Sequence, residues 1–436
     1  MKTMKTLLIM TCSLPILLSC SDAGDLARPN SDEEIEIVNM IAEQKPIKLT
    51  QEQKTFANDN NQFTLNFLKR VNETDRSGKS FIYSPLSITY VLGMVNDAAE
   101  GETRKELEQT LGFHEGGIKA VNEYCKTLIE GLPKVDEGVQ LNIANAIFVN
   151  KNYTLKEQFQ QDMQTYYDAK AEALDFFSPQ TLSQINGWCK EKTKGMIPSI
   201  LEEVNPNTAS YLLNAIYFKA DWTSAFDEKN TKTESFTTEH GKVQLPLMHQ
   251  KVIASYMKND IYSAVTIPYT NGLWNMVVML PQKGKTTDDI IIQLAANGWS
   301  TNYSEKNPLS GAQNYEVDLK LPRFETSSDT DDFKDGLIGL LEPMGIQRIF
   351  NPNSSQAPNM CEQGNIFIDM MRQKALIKVN EKGAEAAAVT VAGARVTSVG
   401  PIEYPKAEFH ANRPFVYVIR EASSGVLLFV GKYTGE

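Results

Sequence analysis

Four histidines, His114, His240, His249 and His410, and five cysteines are the side chains best suited to act as base, nucleophile or metal ligand in this 436-residue chain. Their spacing does not support that chemistry. There is no Gly-x-Ser-x-Gly to expose a serine on a sharp turn, no His-Glu-x-x-His to set two imidazoles on one helical face, and no Cys-x-x-Cys. The histidines are scattered, and a structural or solvated role is expected for each. Gly284-Lys-Thr-Thr287 imitates the end of a phosphate loop, but Met279 stands where the earlier glycine belongs and Leu280-Pro281 does not form the required turn. Once Cys12 is assigned to a cleaved N-terminal leader and Cys20 to a lipidated first residue, Cys125, Cys189 and Cys361 remain. They are odd in number and far apart, and imply neither a disulfide framework nor a clustered metal site. The chain is therefore expected not to be an enzyme and to use no metal or cofactor.

One stretch has a composition that calls for another explanation. Glu381 to Gly400 reads EKGAEAAAVTVAGARVTSVG, with no aromatic residue and no proline before Pro401. With the two-residue period of a strand, one face is Ala384, Ala386, Ala388, Thr390, Ala392, Ala394 and Val396, small and neutral throughout. The opposite face, Glu385, Ala387, Val389, Val391, Gly393, Arg395 and Thr397, mixes apolar residues with two charges. Gly383 at one end and Gly400-Pro401 and Pro405 at the other argue for an exposed loop instead. Both readings stay open on composition: a surface loop, or a loop able to become a strand. Loops of ~15 or more residues without structure of their own are uncommon in compact domains unless functional or disordered.

The elements around this stretch are legible in order. Lys2 and Lys5 precede an apolar run from Leu7 to Leu18, too short to span a bilayer, so residues 1–19 are expected to be a signal peptide. Leu17-Leu18-Ser19-Cys20 resembles a bacterial lipobox, which would make Cys20 the lipidated first residue. From there to about Lys48 the chain is polar and acidic, a tether (20–48) unable to bury a core. The remainder, 50–436, has no repeat and no Pro/Gly/Ser-rich linker, and 42% hydrophobic residues in the whole chain suffice for one large core. A net charge of −11 argues against nucleic acid as a partner. Thr50-Gln-Glu-Gln53 has the form of a capping box before Phe56, Phe63, Phe67, Leu68 and Val71, so a helix is expected there. Leu141–Val149 reads as a buried strand and Tyr153–Tyr167 as a helix. The region Ser328–Ser355 reads as mixed helix and loop.

Val379-Asn-Glu-Lys-Gly-Ala-Glu-Ala-Ala-Ala-Val-Thr390 resembles the hinge of the reactive-centre loop of serpins. Phe409-His-Ala-Asn-Arg-Pro-Phe-Val-Tyr-Val-Ile419 and Gly425-Val-Leu-Leu-Phe-Val-Gly-Lys432 resemble that family's C-terminal signature and closing strand. Phe81-Ile-Tyr-Ser-Pro-Leu-Ser-Ile88 and Tyr211-Leu-Leu-Asn-Ala-Ile-Tyr-Phe-Lys-Ala-Asp-Trp222 continue the match, which covers essentially all of 50–436. The resemblance implies an α+β fold, about nine helices around three β-sheets, with an exposed reactive-centre loop at about 381–405. Ser84, Ser87 and Asn214 fall on the family's shutter, Trp222 on its breach, and Arg323 where a base pairs with the hinge carboxylate, here Glu381. As an exposed pair, that latch would contribute only ~0–1 kcal/mol. One departure is Gln373, where many serpins have histidine; glutamine still hydrogen-bonds Asn214 or the serines but does not titrate.

The function implied is inhibition of serine proteases by a suicide-substrate route. A protease attacks the loop, and the cut loop inserts into the central sheet before the acyl-enzyme is released. Loop insertion of this kind is an established instance of strand addition. The hinge would be Glu381, Gly383, Ala384, Glu385, Ala386, Ala387 and Ala388. Counting from Glu381 by the family's usual loop length places the attacked bond at Thr397-Ser398, suggesting elastase-like or subtilisin-like targets. The competing bond, Arg395-Val396, would suggest a trypsin-like one. Ala384 to Thr397 would span about 45 Å as a strand, with neither proline nor charge on its small-residue face. A monomer is expected, secreted across the inner membrane and held by lipid on the bacterial outer membrane or cell surface. The alternative is a non-inhibitory serpin acting as a binding or chaperone-like protein, which would be expected to carry bulky, charged or proline residues in the hinge.

Overall fold

The computed structural model describes residues 43–75, 77–114, 116–300, 307–384 and 403–436. The described residues lie within one compact unit, Met40–Glu436. They form eight α-helices, α1 (Gln51–Thr74), α2 (Pro85–Ala98), α3 (Gly101–Leu111), α4 (Gly117–Gly131), α5 (Glu157–Tyr167), α6 (Gln180–Lys192), α7 (Thr287–Asn297) and α8 (Gly336–Leu341). The strands are β1 (Phe81–Tyr83), β2 (Gln140–Asn150), β3 (Lys170–Leu174), β4 (Ser210–Asp221), β5 (Lys232–Thr238), β6 (Gly241–Lys258), β7 (Tyr262–Pro268) and β8 (Trp274–Pro281). They continue as β9 (Gln313–Pro322), β10 (Phe324–Asp329), β11 (Met370–Val379), β12 (Gly383–Ala384), β13 (Lys406–His410), β14 (Phe415–Glu421) and β15 (Leu427–Tyr433).

The expected α+β class holds, with eight α-helices and five short 3-10 turns among the described residues. The sheets differ from expectation in their joining. One six-stranded sheet has the order β10-β11-β4-β2-β3, with β12 attached to β4. All other strands form one continuous nine-stranded sheet. Two of the three expected sheets merge because β6 is long enough to serve both. It pairs with β5 over Gly241–Leu247 and β9 over Leu247–Tyr256, then with β7 over Ser255–Lys258.

Helix α1 starts as its sequence requires. The Thr50 hydroxyl accepts from Gln53 N at 3.2 Å, while the Gln53 side chain accepts from Thr50 N at 3.1 Å. Phe56, Phe63, Phe67, Leu68 and Val71 are all buried along its inner face. The core contacts begin before Thr50, within the stretch expected to be tether. Gln44 Nε2 donates to Asn271 O, Lys45 N to Val135 O and Ile47 N to the Ser423 hydroxyl. Helix α5 begins at Glu157 rather than Tyr153, because Lys156 is extended and Leu155 bridges to Cys361.

Strand β4 is buried almost throughout, so both faces of the six-stranded sheet are covered. Leu212, Ile216, Phe218 and Ala220 join the main core, whereas Tyr211, Leu213 and Ala215 join a smaller cluster with Ile185, Trp188 and Cys189 of α6. The period of two thus assigns alternate residues of β4 to different cores. Under the main-core face sits the N-terminus of α2, capped by Ser84 with Pro85 at its first turn.

Candidate functional site

The site is built where β11 and β4 lie side by side. They pair in parallel from Met370 opposite Tyr211 to Leu376 opposite Tyr217. Beyond that point β11 keeps its partner β10 up to Val379, and the chain reverses through Asn380–Gly383. Asn380 N donates to Gly383 O at 2.9 Å and Gly383 N to Asn380 O at 3.2 Å. Gly383 and Ala384 then run antiparallel beside β4, opposite Asp221 and Ala220.

Gly383 is required there by space as well as by conformation. Its φ is +143°, and a Cβ on it would lie 2.2 Å from Ala220 O and 2.7 Å from Trp222 N. Trp222, the expected breach residue, clasps the turn. Its backbone N–H donates to Lys382 O at 2.7 Å and its indole to Asn380 O at 2.9 Å, while the ring stacks on Tyr269 with centroids 4.4 Å apart. Phe226 N adds a bond of 2.8 Å to Glu381 O.

Glu381 and Arg323 meet, but not as an exposed pair. The Glu381 side chain is 5% exposed and Arg323 is 48% exposed. Arg323 grips the carboxylate with two donors, Nε to Oε2 at 3.0 Å and Nη2 to Oε1, and Thr231 Oγ1 donates to Oε1 at 2.5 Å. Burial alone would raise this carboxyl's pKa; the bonds from Arg323 and Thr231 outweigh that and hold it below the usual carboxylate range.

Lower on the same seam, Ser84, Ser87, Asn214 and Gln373 converge and are all buried. Gln373 lies opposite Asn214, which lies opposite Asn145, so one polar row crosses β11, β4 and β2. Gln373 Nε2 donates to Asn214 Oδ1 and to Ser84 O, each at 2.9 Å, and its carbonyl accepts from Ser84 N at 3.0 Å. Asn214 Nδ2 passes the row on to Asn145 Oδ1 at 2.8 Å. Ser84 Oγ donates to Leu428 O at 2.7 Å and lies 3.2 Å from Ser87 Oγ. Glutamine thus fills the position with three hydrogen bonds and no titrating group.

Sequence reasoning missed several members. Asn145 was signalled only as an amide inside an apolar strand, and Thr330, whose hydroxyl accepts from Gln373 N at 2.9 Å, carried no signal. Arg372 is 5% exposed on the other face of β11 and binds Asp329 and Glu202, each through two nitrogens. A charge inside a strand of Met and Leu was its available signal. Two of the scattered histidines, His249 and His410, also come together at Asp318.

Cys125, Cys189 and Cys361 are free and buried, and burial pushes each thiol up to about 12, which leaves them unreactive. Glu385, Ala386, Ala387, Ala388, Arg395, Val396, Thr397, Ser398, Cys20 and the signal segment lie outside the described residues. Among the described residues no helix is long and apolar enough to cross a membrane.

Comparison with known proteins gives a consistent result. The family model described as serpin (serine protease inhibitor) matches residues 58–435. A serpin-like protein of Thermococcus kodakarensis is 30% identical over 389 residues, covering 87% of this chain and 86% of that protein. The crystal structure of tengpin, a thermophilic serpin in its native state, superposes with a TM-score of 0.75 at 26% identity, covering 89% of this chain and 96% of tengpin. The crystal structure of human thyroxine-binding globulin in complex with its thyroxine ligand superposes with a TM-score of 0.74 at 26% identity, covering 87% of this chain and 98% of that one.

Proposed function

The chain belongs to the serpin family, and we propose that it is an inhibitory serpin that traps serine proteases through its loop. The observation that carries this reading is the pairing of Gly383 and Ala384 with β4, antiparallel and just beyond the last β11–β4 pair. These two residues start along β4 toward the seam, and the alternate residues of the sequence that follows them are small and neutral.

In this reading the protease serine oxygen bonds to the Thr397 carbonyl carbon, and the Thr397–Ser398 bond breaks to give a new amino terminus at Ser398. The freed segment enters between β11 and β4 and carries the acyl-linked protease with it before water can complete hydrolysis. The Trp222–Asn380 and Arg323–Glu381 contacts hold the turn at the mouth of the seam, and the Gln373–Asn214 bond holds the strands together below it. A small β-branched residue at the attacked position favours elastase-like or subtilisin-like enzymes; Arg395 would favour a trypsin-like one.

The test is to mix the protein with proteases of all three kinds and examine denaturing gels and intact masses. A complex that survives denaturation, with a released peptide beginning at Ser398, supports the mechanism and the bond. A peptide beginning at Val396 moves the target class to trypsin-like enzymes. Clean cleavage by every protease with no stable complex refutes inhibition and favours a binding protein, the role that the name thyroxine-binding globulin describes for a structural relative. The Ala384-Glu-Ala-Ala-Ala388 run argues against that outcome, having none of the bulky or proline residues that would block entry.

From the apolar run before it and the lipobox-like Leu17-Leu18-Ser19-Cys20 we further propose that the molecule lies outside the cytoplasm, tethered by lipid on Cys20. Metabolic labelling with a radioactive fatty acid should mark the native protein and not C20A.

A further inference from the structure

His249, Asp318, His410 and Glu408 stand on three neighbouring strands of the nine-stranded sheet. Asp318 is on β9, between His249 on β6 and the other two on β13. Registers place them on one face. Glu408 is directly opposite Asp318, while His410 and His249 are each opposite Lys320, two residues along the same pleat. His249 Nε2 lies 2.5 Å from Asp318 Oδ1 and His410 Nε2 lies 3.3 Å from Asp318 Oδ2. The other nitrogen of His410 is 3.4 Å from Glu408 Oε1. Ligand atoms from Asp318, Glu408 and His410 all fall within 4.8 Å of one another.

We propose that this cluster is a site for a divalent transition-metal ion of the zinc class, bound by Asp318, His410 and Glu408 with His249 as a fourth ligand. Zinc takes nitrogen and carboxylate oxygen at ~2.0–2.2 Å, so adjacent ligand atoms around a tetrahedral ion sit about 3.4 Å apart. The separation of His410 Nε2 from Asp318 Oδ2 already has that size. The 3.4 Å contact of Glu408 is to Nδ1, the opposite ring nitrogen, so the exposed Glu408 carboxylate must swing toward Nε2 to share one ion. His249 stands outside the group of ligand atoms that lie within 4.8 Å of one another, so to become the fourth ligand its partly exposed ring must turn from Asp318 toward His410 and Glu408. Two imidazoles select against magnesium and calcium, which prefer all-oxygen shells. Two carboxylates balance the charge of the ion. Of the cations on the same face, Lys320 is held by both oxygens of Glu234 at 2.7 Å, and Lys251 is exposed.

The ion would join β6, β9 and β13 across the sheet. Strand β13 is at the edge of that sheet and receives the C-terminal end of the Glu381–Pro405 stretch, where Glu316 N donates to Pro405 O at 2.9 Å. Metal would therefore fasten the far end of that stretch without touching its near end at Gly383. This inference does not depend on whether the protein inhibits proteases.

Chelator-treated protein is titrated with zinc by calorimetry and with cobalt by visible absorption. One ion per chain, a cobalt spectrum of four-coordinate type and an upward shift of the unfolding midpoint with zinc are expected. H410A and D318N should each weaken binding at least tenfold, and H249A should weaken it and alter the cobalt band. H240A, remote from the cluster, should bind like the native protein. Circular dichroism with chelator present confirms that the variants fold. Absence of saturable binding, native affinity in H410A or D318N, or an equal response to calcium would overturn the assignment.

Discussion

Replacing Gln373 with alanine tests how much the polar row contributes to closing the seam. The substitution removes three hydrogen bonds from a fully buried residue. Ser84 O keeps a second partner, Ile88 N at 3.2 Å. Ser84 N and Asn214 Oδ1 are left without the bonds described, and each buried orphan costs ~1–3 kcal/mol. With a cavity term for the lost side chain, the total is about 4 kcal/mol. Unfolding entropy for the compact unit Met40–Glu436 is about 0.8 kcal/mol/K, so the midpoint should fall by ~5 °C in calorimetry. Q373H keeps one donor and one acceptor when neutral and should recover part of the loss at pH 8. Buried among these groups its folded pKa would be depressed, so the recovered stability should be complete above pH ~6.5 and be lost as pH falls from there through the lower folded value. A Q373A midpoint within ~1 °C of the native value would refute the claim that this row closes the seam.

Two further outcomes follow from the hinge. G383A places a methyl group against the backbone of Ala220 and Trp222, so Gly383 and Ala384 should leave β4. Hydrogen exchange should speed up at residues 380–384 for a stability loss of ~1–2 kcal/mol, and unchanged protection would contradict the geometry. Glu381 has a folded pKa below its unfolded value, so its contribution is complete above about pH 4.5 and is lost as pH falls through the folded pKa. With half-exposed Arg323 screened by solvent, that contribution is about 1 kcal/mol, and E381Q should lower the midpoint at pH 7 but much less near pH 3. Equal shifts at both pH values would remove the ion pair from the account.

Much of this fold is written locally. The capping box at Thr50 and the apolar stripe after it specify α1, and the run from Tyr211 to Phe218, apolar but for Asn214, suits a strand covered on both faces. What needs long-range register is not legible in that way. Ser84, Asn214 and Gln373 are distant in sequence, and only the family resemblance brought them together beforehand. His249 and His410 looked scattered because their shared face exists only once β6 and β13 flank β9. The joined sheet is not announced locally, because the length by which β6 serves β5, β9 and β7 in turn is a matter of register. Helix α5 begins late because Leu155 is taken up by Cys361, a contact no local pattern announces.

The short antiparallel pairing of Gly383 and Ala384 with β4 also sets a ruler for everything downstream. If their register continues along the sequence, Thr390 falls opposite Asn214, at the row where Gln373 and Asn214 now bond across the seam. A hydroxyl donates and accepts, so threonine is suited to stand between two amides without leaving either unmatched. On that continuation Ala394 would fall opposite Ser210, the first residue of β4, and Arg395 one step past it. The charge on Arg395 would thus remain outside the paired strand, and the length of β4 would determine how much of the segment the sheet can accept.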